Sequence, residues 1–154
     1  MKAITLRQPW AMFVSMGWKT IETRSHQRFQ CLKGQRIVIH SGKKFDISGL
    51  RHNFCPSNMR TFLQNYDIKN FAGRWYGGTI VCTAMVTDAR WAPNVDFVEH
   101  EQWNRRAICD VAGKFCLFLD DIKLLLNRIK ITGRRGSFDV PDDVIKNNEM
   151  LPDI

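Results

Sequence analysis

No stretch of this 154-residue sequence holds the roughly 20 consecutive apolar residues that a membrane-crossing helix requires, so no membrane is expected as a partner. The start, "MKAITLRQPWAMFVSMGWK", is broken by polar and charged residues and lacks a small-residue cleavage site, so it does not read as a secretory leader. A cytoplasmic protein is the expectation. The five cysteines (Cys31, Cys55, Cys82, Cys109, Cys116) are odd in number and form no CxxC pair, which argues for buried or free thiols over a disulfide frame. The "HNFC" stretch puts His52 and Cys55 at a spacing zinc can use, but no second pair follows, and neither a metal nor another cofactor is expected. Repeats, low-complexity tracts and Gly/Ser linkers are also missing. One domain, residues 1–154, is the expected organisation.

Acids are scarce where it matters. Residues 1–87 hold 13 Lys and Arg against three carboxylates (Glu22, Asp46, Asp67), a net +10, whereas residues 88–154 come to −2. The overall charge of +8 therefore belongs to the first half. A one-sided positive field favours a polyanion such as RNA or DNA, or a phosphorylated small molecule.

What is present reads as short alternating elements. "KAITLRQ" puts Ile4 and Leu6 on one face of a strand. Pro9 suits a helix start, Trp10, Phe13 and Val14 fall on one helical stripe, and Gly17 suits a left-handed end. Trp10 on that stripe reads as core, with base stacking as the alternative. "KTIETRS" returns to period two, and "QRIVIHSG" places Ile37 and Ile39 opposite Val38 and His40. A helix is expected over residues 57–66. "GGTIVCTAMVTDARW" reads as a long strand with Ile80, Cys82, Ala84 and Val86 on one side. "VDFVEHEQWNRRAI" reads as a helix and "KFCLFLDDIKLL" as a buried strand. "RIKITGRRGSFDVP" reads as a hairpin or bulged turn at Gly133 and Gly136, and "PDDVIKNN" as a last helical turn. Strands without regular βαβ alternation point to an α+β fold, a small mixed β-barrel with short helices packed around it.

In "GWKTIETR" the strand period places Thr20, Glu22 and Arg24 on one face and Ile21 and Thr23 on the other. Lys19 enters from the helix–strand junction. A carboxylate between two cations can orient them, leaving Lys19 and Arg24 to meet an anionic or hydrogen-bonding ligand; a lysine can equally serve as base or activate a nucleophile. His40, Lys43 and Lys44 read as the rim of the same cleft. Trp75, with Arg74 and Tyr76 beside it in "GRWYGG", is placed to stack on a base or to pack over a barrel end. Arg134 and Arg135 in "GRRG" suit phosphate without sequence specificity.

The stretch "LRQPWAMFVSMGWKTIETRS" resembles the opening of an ASCH domain, a branch of the PUA-like superfamily whose signature is GxKxxExR. Gly17, Lys19, Glu22 and Arg24 fit every defined position. "IVIHSGKKF" resembles that family's next strand and "TGRRGSF" its closing one, so the likeness spans nearly the whole chain. The resemblance implies a β-barrel with a cleft beside the signature, binding RNA or modified nucleosides. One bacterial branch hydrolyses N4-acetylcytidine with the motif lysine, a threonine and a later glutamate. Lys19 matches that lysine, Glu22 stands where the threonine would be, and Glu99 or Glu101 is the candidate later carboxylate. Other members are linked to RNA cleavage, which His and Lys can support without metal. Three functions follow: a nucleic-acid or nucleotide binder with RNA the first polymer; a ribonuclease or nucleoside amidohydrolase using Lys19 and Glu22; or a module for an acidic protein partner.

Overall fold

The computed structural model describes residues 1–46, 48–50, 52–65, 77–93 and 97–149. In chain order its elements are β1 (Lys2–Gln8), α1 (Trp10–Ser15), β2 (Ile21–Arg24), β3 (Arg36–Phe45), α2 (Ser57–Asn65), β4 (Thr79–Trp91), α3 (Phe97–Ala107), β5 (Phe115–Lys130), β6 (Ser137–Asp139) and α4 (Asp142–Lys146). A 3-10 turn, Arg28–Leu32, joins β2 to β3. The strands form one six-stranded sheet in the order β2-β5-β4-β3-β1-β6. Only β1 and β3 run parallel among these pairings. The architecture is mixed α+β, as the pattern of strands and short helices foretells. The expected closed barrel is not found: β2 and β6 stand at opposite ends of an open sheet. Strand alternation reports which faces are buried, but closure depends on pairing the first strand with the last, which alternation does not encode.

The sheet is buried on both faces, so its strands carry apolar residues on both sides. Ile4, Leu6, Ile37 and Ile39 join Cys82, Ala84, Val86 and Leu117 in one cluster beneath α1, while Ala3 and Val38 join Ile80, Phe138 and Ile145 of α4 on the other face. Ile80 departs from the expected face. Ile39 pairs with Cys82 and His40 with Ile80, so Val81 is an extra residue in the ladder, and this bulge turns Ile80 through to the opposite cluster. Phe13, Ile37 and Leu117 are fully buried, and truncating any of them to Ala costs about 2–5 kcal/mol.

The expected hairpin near Gly133 is also corrected. β5 runs on to Lys130, and β6 pairs not with it but with β1, on the far side of β4 and β3. Residues 131–136 therefore cross over β3 and β1, and this crossing builds one wall of the cleft described below. All five cysteines are free thiols. Burial pushes the Cys82 thiol up and the Cys116 thiol up to about 11, which keeps both protonated. No helix among the described residues is long and apolar enough to cross a membrane.

Candidate nucleic-acid interface

The site is assembled from the end of α1 onward. Gly17 has a φ of +71°, a conformation in which a side chain is strained, and its N–H donates to the Val14 carbonyl. The turn sends the chain back beneath the helix, where the N–H groups of Trp18 and Lys19 both donate to the Phe13 carbonyl. Lys19 is thereby delivered into the interior. Its ammonium donates to the carbonyls of Ile21 at 2.8 Å and Ala107 at 2.7 Å, and stands 3.5 Å from Glu22 Oε2. Lys19 is only 2% exposed, and its charge also lies 5.3 Å from the centre of the Trp10 ring. Because Ala107 ends α3, the ammonium closes that helix's C-terminus, where a cation is favoured.

Glu22, 7% exposed, carries the charge outward. Its second oxygen, Oε1, lies 3.3 Å from Arg24 Nε. Arg24 Nη2 donates to the Thr5 carbonyl at 3.2 Å, and its guanidinium carbon sits 5.0 Å over the Phe29 ring. The guanidinium is therefore fixed from three directions. Its Nε–H still makes no hydrogen bond, the one buried side-chain nitrogen or oxygen among the described residues left so.

His40 is 2% exposed. Its Nε2 lies 3.0 Å from the Ile131 carbonyl, which can only accept, so Nε2 carries the ring proton. Nδ1 then accepts from the Thr5 hydroxyl at 3.1 Å; the Arg134 carbonyl is a second acceptor within reach of that hydroxyl, at 3.3 Å. Burial holds the His40 pKa below the ordinary histidine value, and the bond to Ile131 opposes the shift. Gly133 passes so close that a Cβ there would lie 2.4 Å from His40 Cε1 and 2.7 Å from Thr5 Oγ1. Only a glycine fits that crossing.

These groups border a cleft of about 1550 Å³, whose lining includes Thr5, Trp10, Glu22, Arg24, Phe29 and His40 together with the crossing segment 131–136. Among the described residues, seven Lys and Arg line it (Arg7, Arg24, Arg28, Lys43, Lys130, Arg134 and Arg135), against a single carboxylate, Glu22. Arg7 pairs with Asp46 and Arg24 with Glu22; the other five make no ion pair among the described residues. Arg134 and Arg135 also border an adjoining hollow of about 420 Å³.

The structure thus brings together Glu22, Arg24, His40, Lys43, Arg134 and Arg135. Lys19 lies beneath the cleft and Gly17 shapes the turn that puts it there; neither lines the space. Lys44 is exposed on β3, outside the lining. Lys43 and Lys44, expected at the rim, both belong to β3 itself. Trp75, with Arg74 and Tyr76, lies outside the described residues, as do the Glu99 side chain and Ile47. Glu101 pairs along α3 with Arg105 at 2.8 Å. Trp10 is both core and cleft wall, half-buried with its ring at the lining. Sequence reasoning missed Thr5, Arg7, Arg28, Phe29 and Lys130. The face of β1 opposite Ile4 carries Thr5 and Arg7, so the strand period held a signal for those two; the others depend on chain crossings. Among the described residues, no group of His, Cys, Asp and Glu is arranged to hold a metal ion.

No family model and no curated protein sequence matches the chain. Among solved structures, the crystal structure of ASCH from Zymomonas mobilis superposes with a TM-score of 0.54, covering 97% of this chain and 96% of that one at 11% identity. The chain has the ASCH fold.

Proposed function

We propose that this cleft binds nucleic acid, with RNA the first candidate, or a nucleotide-like portion of it. The observation that carries the reading is the imbalance of the lining: five cations unpaired among the described residues, and one carboxylate already held by Lys19 and Arg24. Such a surface suits phosphates, and the half-buried ring of Trp10 suits a base released from a stack. The RNA association implied by the GxKxxExR resemblance agrees with it.

A lysine-dependent hydrolase or ribonuclease would need the Lys19 ammonium free of the Ile21 and Ala107 carbonyls and within reach of the cleft. Lys19 serves in this reading as a positioning residue for Glu22, and Glu22 and Arg24 as ligand-facing groups. His40, Lys43, Arg134 and Arg135 extend the contact.

The test is binding of a single-stranded RNA across a salt series. If about five phosphates are engaged, affinity falls roughly 100-fold between 50 and 200 mM salt. Absent binding, or binding indifferent to salt, overturns the proposal; nuclease-resistant capture by an acidic protein would support the protein-partner alternative.

A further inference from the structure

We infer that the Glu22–Arg24 end of the cleft is a nucleobase subsite that reads guanine. This rests on the nucleic-acid reading above and names the base it selects. A carboxylate is the wrong group for phosphate, yet Glu22 is the one acid among the described residues of the lining, beside seven cations. Its position answers a hydrogen-bond donor on the ligand. Each oxygen is engaged on one side only, Oε2 by Lys19 and Oε1 by Arg24. A carboxylate has about four acceptor positions, so both oxygens retain capacity for a further donor.

The bases differ in what they offer to such a pair. Guanine carries two adjacent donors, the ring N1–H and the exocyclic amine, with an acceptor oxygen next to them. Adenine and cytosine offer an amine beside an acceptor, and uracil a lone imino donor between two acceptors. Two parallel bonds to one carboxylate are available to guanine alone among the four. Arg24 completes the match. Its guanidinium is pinned by Thr5 and Phe29, its Nη1 makes no hydrogen bond among the described residues, and it stands beside the carboxylate as a donor for the guanine oxygen. Trp10, half-buried with its ring at the lining, supplies a flat apolar wall near Lys19 and Glu22, and the cations of the 131–136 crossing line the cleft for the phosphates.

The arrangement is also preorganised. Lys19 and Arg24 hold the carboxylate from both sides, so little side-chain freedom is lost when a base arrives. An edge that fails to supply two donors leaves desolvated carboxylate positions unanswered, which is how a polar pocket rejects a near match.

The experiment measures the affinity of the intact protein for hexauridylates carrying one central guanosine, inosine, adenosine or cytidine, with the all-uridine oligomer as reference. Inosine keeps the imino donor and the oxygen and lacks the amine. The guanosine oligomer should bind about tenfold tighter than the adenosine, cytidine and uridine ones, with inosine between. Glu22→Gln should abolish the preference while leaving the salt dependence in place. Equal affinity for all five oligomers with a steep salt dependence overturns the guanine subsite and leaves the nucleic-acid reading standing. No binding to any of them overturns both. A guanosine preference that survives Glu22→Gln overturns the role of Glu22. Should that variant fail to fold, the guanosine–inosine comparison on the native chain decides.

Discussion

Lys19 and Glu22 stand 3.5 Å apart, yet only Glu22 borders the cleft. The lysine is spent inside the protein, on two main-chain carbonyls and on the carboxylate above it. Two charges of the same motif thus divide their work: one anchors, one borders the cleft. The cluster is neither a solvated strand face nor a row of equivalent contacts.

Lys19→Met should therefore act first on stability. It leaves the Ile21 and Ala107 carbonyls without their donor and removes one of the two cations that hold Glu22. Breaking a buried charge pair costs about 3–5 kcal/mol, a large share of the roughly 5–15 kcal/mol typical of a domain. Urea unfolding should show a midpoint far below that of the native chain. A midpoint within error of native would contradict the anchoring role.

Arg134→Ala combined with Arg135→Ala should do the opposite. Both side chains are exposed, so unfolding should shift by no more than about 0.5 kcal/mol. If each meets a phosphate, the slope of log affinity against log salt should become shallower by about 1.4. An unchanged slope would remove the pair from the interface.

Gly133→Ala should destabilise the protein, because the added Cβ would overlap the His40 ring and the Thr5 hydroxyl. Overpacking of this kind costs about 1–3 kcal/mol. Gly34, around which no atom lies within 4 Å of an added Cβ, provides a contrast: its positive φ alone is the obstacle to alanine there. Melting curves of Gly133→Ala and Gly133→Ser should both fall below native, serine no less than alanine.

His40 sets a pH dependence. Its folded pKa lies below the ordinary value of about 6.5, so on acidification the unfolded chain takes up a proton before the folded one does. Stability from this group is therefore complete above about pH 6.5 and is lost as the pH falls from there toward the folded value. The melting temperature should drop between pH 7.5 and 5.0, and His40→Gln should flatten that drop even if its curve starts lower. Parallel slopes for the two proteins would exclude the ring as the cause.

Much of this was legible in the chain. The two-faced apolarity of residues 36–40 and 79–91 foretold a sheet covered on both sides, and Gly17 foretold the turn that ends α1. The GxKxxExR spacing pointed to Glu22 and Arg24 as neighbours. Depth was not legible: alternation says which residues share a face, not whether a helix end such as Ala107 covers that face. Lys19 was expected at a surface because nothing local reveals the carbonyl, 88 positions further along, that receives it. The bulge at Val81 escaped for a related reason, since an extra residue leaves the hydrophobic pattern of a two-sided strand unaltered. The path of residues 131–136 was hidden because the partner of Ser137–Asp139 is the first strand, and pairing between remote segments leaves no trace in spacing.

That path has a practical consequence. The walls of the hollow come from residues near 5, 22, 40 and 133, so no fragment of the chain carries it and an occupant can exist only on the native form. Whatever fits must resist thermal denaturation of the entire molecule, by about 2.7 kcal/mol at a hundredfold excess over its dissociation constant. A dye-based melting screen over nucleosides, short oligomers and other anions would thus rank candidate occupants with no assay of chemistry at all.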